Sequence, residues 1–482
     1  MPKHQNLPKQ DGGITMSLAN RSLVTIDDLS NGEVLAIFNL ANEMSTSMPE
    51  MFGLCRGKIL ASLFFEPSTR TRLSFEAAMQ RLGGSVITAS DVGASSVAKG
   101  ESIADTARIV GSYADIIVVR HPWEGAARVV ADYAGIPVIN AGDGGHQHPT
   151  QTLCDLYTLQ KERGTIKGLK IALWGDLKYG RTIHSLIFAL ARFGTDILFC
   201  PSPGLEVPQH VIDKLITEYG GEVERLEHST SESRENIFPM DAIYTTPSSP
   251  HQLAMMPDIS LQVELKSGVD ALYVTRPQKE RFTESETGQK IKDKYPVVNK
   301  KLLKDKAFRE TLVMHPLPRV DELAYDMDAD PRSMYFKQAA RGVPIRMALL
   351  AALLGLKKVP IPEEDSPPHV EYPVYSRDIS PVCPNPTCVS IQGTEAKYLR
   401  PQFKIVNTHP LTFRCIYCEH GFEPKYVASA DWHEGKLETK KYHSAGSHWA
   451  RTIRPENLIA FNSEKEAQAC GFRPSHFAGD HD

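Results

Sequence analysis

Between residues 59 and 139 the chain alternates short apolar runs, 59–65, 85–89, 115–119 and 136–139, with longer stretches whose apolar residues recur every three or four positions. Runs of the first kind suit buried strands and the second kind amphipathic helices, so the pattern predicts an α/β unit with a mainly parallel sheet. An earlier helix is expected after Thr25, where cap residues precede Val34, Leu35, Ile37, Phe38 and Leu40. The alternation resumes at Lys170, with further strands at 196–200, 241–245, 271–275 and 311–314. Thr150 to Glu162 reads as a helix bridging the two units, and 335–355 as a long apolar helix closing the second. Polar, turn-rich residues 1–17 are expected to form a disordered tail. Residues 357–381, rich in Pro, Glu and Asp, are expected to form a linker. The expected division is therefore 1–17 tail, 18–150 first lobe, 151–356 second lobe, 357–381 linker, 382–430 a cysteine-bearing β domain and 431–482 a C-terminal module.

Candidate chemistry gathers first at Phe64-Phe-Glu-Pro-Ser-Thr-Arg-Thr-Arg-Leu-Ser-Phe-Glu76. Pro67 fits neither the strand before it nor the helix after it, so the turn places Ser68, Thr69 and Thr71 at a helix N-terminus beside Arg70 and Arg72. Free backbone N–H groups, hydroxyls and two permanent cations at one helix end make a phosphate cradle. In open α/β sheets ligands bind past the strand ends. Polar residues recur at those places: Ser95 and Lys99, Arg120, His148 with Gln151, Arg181, Arg276 with Gln278, and the run His315-Pro-Leu317-Pro318-Arg-Val-Asp. So many cations with no matching carboxylate cluster suit a polyanionic substrate, or two anionic ones. Gly175 and Gly180 do not fit the spacing of a dinucleotide fingerprint.

Length and composition narrow the class. A chain of 482 residues, 41% hydrophobic and 23% charged, suits two or three domains of an ordinary globular protein. Its longest apolar run in the C-terminal half, Met347 to Leu354, is far shorter than a membrane span, and no apolar leader opens the chain, so a cytoplasmic protein is expected. With a net charge of −4 there is no global basic field for nucleic acid, and cationic chemistry must be local.

Four of the eight cysteines form two pairs, Cys383 with Cys388 and Cys415 with Cys418. Two closely spaced pairs separated by a short module are the ligand pattern of a structural zinc site. A nucleic-acid-binding zinc ribbon is the competing reading, since Lys397, Arg400, Lys404 and Arg414 lie between the pairs; the net acidity argues against it.

Residues 20–356 resemble the aspartate and ornithine carbamoyltransferases, and among them the aspartate enzymes. The resemblance rests on F-F-E-P-S-T-R-T-R-L-S-F-E, R-H-P-W-E-G-A-A-R, H-P-T-Q-T-L-C-D, Y-G-R-T, T-R-P-Q-K-E-R and H-P-L-P-R-V-D-E-L, all in the family's order. It implies two parallel-sheet lobes of the carbamoyltransferase type and attack of the L-aspartate amine on carbamoyl phosphate, a step of pyrimidine biosynthesis. By resemblance, Ser68, Thr69, Arg70 and Thr71 would hold the phosphate. Arg120, His148 and Thr71 would polarise the carbamoyl oxygen, while Gln151 and the carbonyls of Leu317 and Pro318 would orient its amino group. Arg181, Arg276 and Gln278 would hold the aspartate carboxylates, and Ser95 and Lys99 match a loop that reaches into a neighbouring subunit of a trimer. No protein nucleophile, metal or cofactor is expected in the chemistry. H-P-L-P-R and T-R-x-Q offer cations to an acidic acceptor, which favours aspartate over ornithine. Compared with family members, 236–268 looks like extra sequence.

Cys383-Pro-Asn-x-x-Cys388 and Cys415-x-Tyr-Cys418-Glu resemble the zinc domain of the regulatory chain of aspartate carbamoyltransferase, which implies a catalytic and regulatory fusion. Only the linker stands where that chain carries its nucleotide-binding domain, so nucleotide control through the usual site is not expected. Residues 442–474 weakly resemble the small metal-binding module of Ada-type repair proteins, with Ser447 and Ser475 at cysteine positions, and are expected to be a metal-free packing or assembly element. The rival functions are a catalytically silent assembly protein and a carbamoyltransferase for another amine.

Overall fold

The computed structural model describes residues 18–89, 100–202, 204–219, 224–225, 242–244, 268–278, 297–304, 308–363, 370–430 and 440–475. The expected tail 1–17, Ser95, Lys99 and nearly all of 236–268 lie outside them.

Ser30 starts the first long helix, α1 (Asn31–Thr46), through a reciprocal capping box: its hydroxyl accepts from the Glu33 N–H, and its own N–H donates to the Glu33 carboxylate. A short α2 (Met48–Met51) leads into β1 (Ile59–Phe64), α3 (Thr69–Arg81), β2 (Ser85–Ala89), α4 (Ile103–Gly111), β3 (Ile116–His121), α5 (Ala126–Ala134), β4 (Val138–Asp143) and α6 (Pro149–Arg163). The four strands pair in parallel in the order β2-β1-β3-β4. Burial of every residue in β3 and in β4, the latter at the sheet edge, explains why 116–121 and 138–143 show no alternation. The strand order turns back between β1 and β3, which puts the Ser68–Thr71 turn and Arg120 at the same crevice.

A second parallel sheet follows, from β5 (Lys170–Gly175), α7 (Arg181–Arg192), β6 (Asp196–Pro201), α8 (Gln209–Tyr219), β7 (Glu224–Arg225), β8 (Ala242–Tyr244), β9 (Ala271–Val274) and β10 (Leu312–Met314). Its order is β10-β9-β5-β6-β8-β7, and the reversal between β5 and β9 gathers Arg181, Arg276 and the 315–318 turn at one edge.

Helix α9 (Tyr335–Leu353) does not simply close this second sheet, as its sequence suggests. It runs back across the molecule and packs on α1, α3 and α6. The reason is its all-round apolarity: every residue from Ile345 to Leu353 is buried, so the helix needs neighbours on several sides.

Beyond it, β11 (Val374–Tyr375), β12 (Phe403–Thr408), β13 (Leu411–Cys415) and β14 (Gly421–Phe422) form an antiparallel sheet around Phe403, Phe413 and Phe422. β11 lies inside the expected linker. A last sheet, β17-β15-β16-β18, joins β15 (Tyr426–Ser429), β16 (Lys441–Ser444), β17 (Leu458–Phe461) and β18 (Arg473–Pro474), with α10 (Glu464–Ala469) beside it. The cysteine module seats on the first lobe in one continuous apolar core that runs from Val119, Ala127 and Val130 to Val389, Phe413 and Tyr417. Gly125 makes this approach possible: its φ is 84°, and a Cβ there would lie 2.6 Å from the Tyr417 backbone.

Candidate active site

Ser68 is the N-cap of α3, yet its hydroxyl makes no capping bond, so the helix opens with hydroxyls and N–H groups facing the crevice. Thr71 is buried on the first turn and Arg70 reaches outward. Partial desolvation, and then the charge of Arg276 from the other sheet, lower the Arg70 pKa. Two cations from different lobes thus face one space, the arrangement expected where an anion binds.

Arg120, at the end of β3, and Arg181, at the start of α7, converge from the two sheets on a single carboxylate. Oε2 of Glu66 lies 3.0 Å from Arg120 and 2.8 Å from Arg181. Arg120 also donates to the Ala141 carbonyl at 3.2 Å, and Arg181 to the Gly144 carbonyl at 2.8 Å. Both guanidiniums pass so close to Gly142 that a Cβ there would lie 3.1 Å and 3.3 Å from their nitrogens. The sequence shows no carboxylate cluster to match the cations, and the structure sets a single carboxylate, Glu66 of the F-F-E motif, between two of them. One acid between two buried arginines holds like charges together where water cannot screen them.

His148 is the N-cap of α6 and is buried, with its N–H donating to the Ser185 hydroxyl at 2.8 Å. Burial, then Arg120, Arg181 and Arg346, push its pKa well below the usual histidine value. A neutral imidazole beside three arginines is a poor base for a cationic surrounding but a serviceable hydrogen-bond donor to a developing oxyanion.

One turn further along α6, Gln151 donates from Nε2 to Asp155 at 2.7 Å. In the second lobe Arg276 donates to the Pro277 carbonyl at 3.2 Å, and the Gln278 N–H to the buried Asp176 carboxylate at 3.0 Å. Leu317 and Pro318, joined by a cis peptide bond, follow His315, whose Nδ1 accepts from the Leu317 N–H at 2.8 Å. Charges of Arg70 and Arg276 both act on His315, so this turn borders the same cationic space.

Arg319 has partners within the chain. As part of H-P-L-P-R it reads as a cation offered to the substrate, but it is bound by both oxygens of Asp328 and lies over the Tyr325 ring at 4.3 Å.

The four cysteines come together as their spacing predicts. Their sulfurs all lie within 4.8 Å of one another, with Cys383–Cys418 at 3.7 Å and Cys388–Cys415 at 3.8 Å. Sulfurs about 2.3 Å from one tetrahedral zinc stand about 3.8 Å apart, so the buried donor set fits a structural zinc ion. Of the cations between the pairs, Arg414 is buried against Glu218 and Arg400 pairs with Asp378. That leaves little of the basic face a nucleic-acid ribbon requires.

Residues 21–161 match the aspartate/ornithine carbamoyltransferase carbamoyl-P binding domain, and 167–353 match the Asp/Orn binding domain. The chain belongs to the aspartate/ornithine carbamoyltransferase family. As a carbamoyltransferase it is 46% identical over 340 residues to the aspartate carbamoyltransferase catalytic subunit of Thermoplasma acidophilum, covering 70% of this chain and 99% of that one. It is 44% identical to that of Methanocaldococcus jannaschii over 339 residues, 69% and 98% of the two chains. Among solved structures, the M. jannaschii catalytic subunit superposes with a TM-score of 0.55 at 43% identity, covering 70% of this chain and 98% of that one. Aspartate transcarbamoylase of Trypanosoma cruzi in complex with N-(phosphonacetyl)-L-aspartic acid does so with 0.57 at 35% identity, covering 70% and 97%. Residues 381–428 match the metal-binding domain of the aspartate carbamoyltransferase regulatory chain. This carbamoyltransferase therefore joins a catalytic-type and a regulatory-type unit in one polypeptide. Among the described residues, no helix is long and apolar enough to cross a membrane.

Proposed function

We propose that this chain transfers the carbamoyl group of carbamoyl phosphate to the amine of L-aspartate, giving N-carbamoyl-L-aspartate and phosphate, as a cytoplasmic step of de novo pyrimidine biosynthesis. The observation that carries the reading is the convergence of cations from two sheets on one crevice: Arg120 and Arg181 meet on Glu66 beside a neutral His148, and Arg70 and Arg276 face each other beside His315. Residues 18–150 would hold carbamoyl phosphate and 151–356 the aspartate, with 357–381 the linker, 382–430 the zinc domain and 431–482 a packing or assembly element.

In this mechanism Ser68, Thr69, Arg70 and Thr71 cradle the phosphate, and Arg181, Arg276 and Gln278 hold the two aspartate carboxylates. The amine nitrogen bonds to the carbamoyl carbon, and the carbon–oxygen bond to phosphate breaks with its electron pair leaving on phosphate. The proton lost by the amine passes to the departing phosphate. Negative charge grows on the carbamoyl oxygen, where Arg120, His148 and Thr71 donate, each such donor being worth about 3 to 4 kcal/mol in the transition state. Holding two mutually repelling anions in reach of each other supplies several kcal/mol more, within the roughly 7 to 11 that ideal positioning allows.

The same reading makes the chain a homotrimer in which Ser95 and Lys99 complete a neighbour's site. Its support is the edge of β2, which among the described residues pairs with β1 alone: this strand exposes Ile87, and nearby α3 exposes Leu73, an apolar edge of the kind that another chain covers. Titration calorimetry with N-(phosphonacetyl)-L-aspartate tests the site, because that compound carries both anionic ends. Tight binding lost in Arg70→Ala is expected, and no binding by the intact chain would remove the reading.

A further inference from the structure

Buried beneath the crevice is a polar chain that the sequence gives no reason to expect. Asp155 on α6 is fully buried and accepts three hydrogen bonds: from Gln151 Nε2 at 2.7 Å, from Gln338 Nε2 at 2.6 Å and from the Tyr273 hydroxyl at 2.8 Å. Both amides reach the same oxygen, Oδ1, while Tyr273 takes Oδ2. Gln338, on α9, then accepts from the His315 N–H through its Oε1 at 3.0 Å. His315 in turn accepts from the Leu317 N–H at its Nδ1 and bonds Glu322 through Nε2 at 2.9 Å, which fixes its tautomer with the proton on Nε2.

This chain connects two surface features 166 residues apart in sequence, Gln151 and the Leu317–Pro318 turn. An amide facing a carboxylate oxygen must present its NH2 group, so Asp155 dictates the orientation of both glutamines. Gln151 is left with its Oε1 as the acceptor it can offer to the crevice. Gln338 is left with its Oε1 for His315, and through it the carbonyl edge of the 317–318 turn is held in place. The constraint survives protonation of Asp155, because a proton on Oδ2 still leaves Oδ1 an acceptor.

We infer that Asp155 and Gln338 are positioning residues that set the recognition of the transferred group: they aim the Gln151 side-chain oxygen and the Leu317 and Pro318 carbonyls, all acceptors, at one NH2 group. This deepens the carbamoyl phosphate reading and rests on it. A site that presents only acceptors there should take a carbamoyl group and reject an acetyl group, which has the same shape but no donor. Unpaired buried acceptors are what such discrimination costs the wrong ligand.

The test is the ratio of acetyl phosphate to carbamoyl phosphate dissociation constants, measured by titration calorimetry on the full chain and on Asp155→Leu, which removes both acceptor oxygens at similar volume, Gln338→Leu and, as a benchmark at the crevice itself, Gln151→Leu. Circular dichroism and thermal unfolding identify the variants that keep the fold, and Gln151→Leu, being only half-buried, serves if a core variant does not. The ratio is expected to fall about tenfold or more in each, with acetyl phosphate affinity nearly unchanged. Equal weakening of both ligands, or an unchanged ratio, would assign Asp155 and Gln338 a purely structural role and overturn the inference. If the unsubstituted chain binds neither phosphate, the functional reading itself fails and this inference with it; if it forms carbamoyl aspartate while the ratio stays fixed, only this inference fails.

Discussion

The Glu419 carboxylate, one residue past a zinc-ligating cysteine, bonds Nε2 of His146 at 3.1 Å, two residues before His148 in the crevice loop. The same carboxylate accepts from Gln147 at 3.1 Å and from the buried Lys214 at 2.9 Å, and Lys214 continues to Asp27 at 2.8 Å. Gln147 then receives the Ser185 hydroxyl at 2.7 Å, and Ser185 holds the His148 N–H. Zinc module and crevice loop are thus joined by paired, desolvated charges.

Removing one partner of such a network leaves the others buried without compensation, a loss typically of about 3 to 5 kcal/mol. Glu419→Ala should therefore lower unfolding stability by roughly that amount, and Lys214→Met in the Glu419→Ala background should recover part of it. Denaturant unfolding measures both; a change below about 1 kcal/mol in Glu419→Ala would show that the network carries little.

His146 gives the network a pH signature. Burial alone would lower its pKa, but Asp143 and then Glu419 outweigh burial and hold it up to about 10. Its unfolded value is about 6.5, so the stabilisation is fully present below that pH and is lost as pH rises towards and through 10. Between pH 6.5 and 10 the unfolding free energy should fall more steeply in the native chain than in His146→Gln, and parallel slopes would contradict the pairing.

For His148 the sign is opposite. Burial and its three arginine neighbours keep it neutral throughout the neutral range, so the turnover profile should show no limb near pH 6.5 from this residue. His148→Ala should reduce kcat by about 10² to 10³, the usual loss of one oxyanion donor. A limb near 6.5 that disappears in the variant would instead make His148 a titrating base.

The cysteine cluster predicts one zinc per chain by elemental analysis, and its loss in Cys415→Ser. A structural zinc commonly contributes roughly 10 to 16 kcal/mol to its small module, so chelation should open 382–430 to proteolysis before the two parallel-sheet lobes melt. Simultaneous loss of all the secondary structure would show that the lobes cannot stand without the module.

How much of this was legible in the chain follows from how local each signal is. Strands, the Ser68–Thr71 turn and the cysteine pairs announce themselves within a few residues, and the structure has strands at 59–64, 85–89, 116–121 and 138–143 close to the expected runs. Glu66 was hidden in plain view, because only folding brings Arg120 and Arg181 to it. Asp155 and Gln338, 183 residues apart, look like polar interruptions of two apolar helices until α9 crosses back over α6. Arg319 is the converse case: the Asp328 carboxylate and the three aromatic rings that it meets are brought to it by the tertiary fold.

The most direct test of the account is product formation by the purified chain given carbamoyl phosphate and either L-aspartate or L-ornithine, with Arg70→Ala as the control. The account predicts N-carbamoyl-L-aspartate and phosphate in equal amounts, no product with ornithine, and no turnover in a folded Arg70→Ala variant. Product with ornithine but not aspartate, or no product with either, would contradict it.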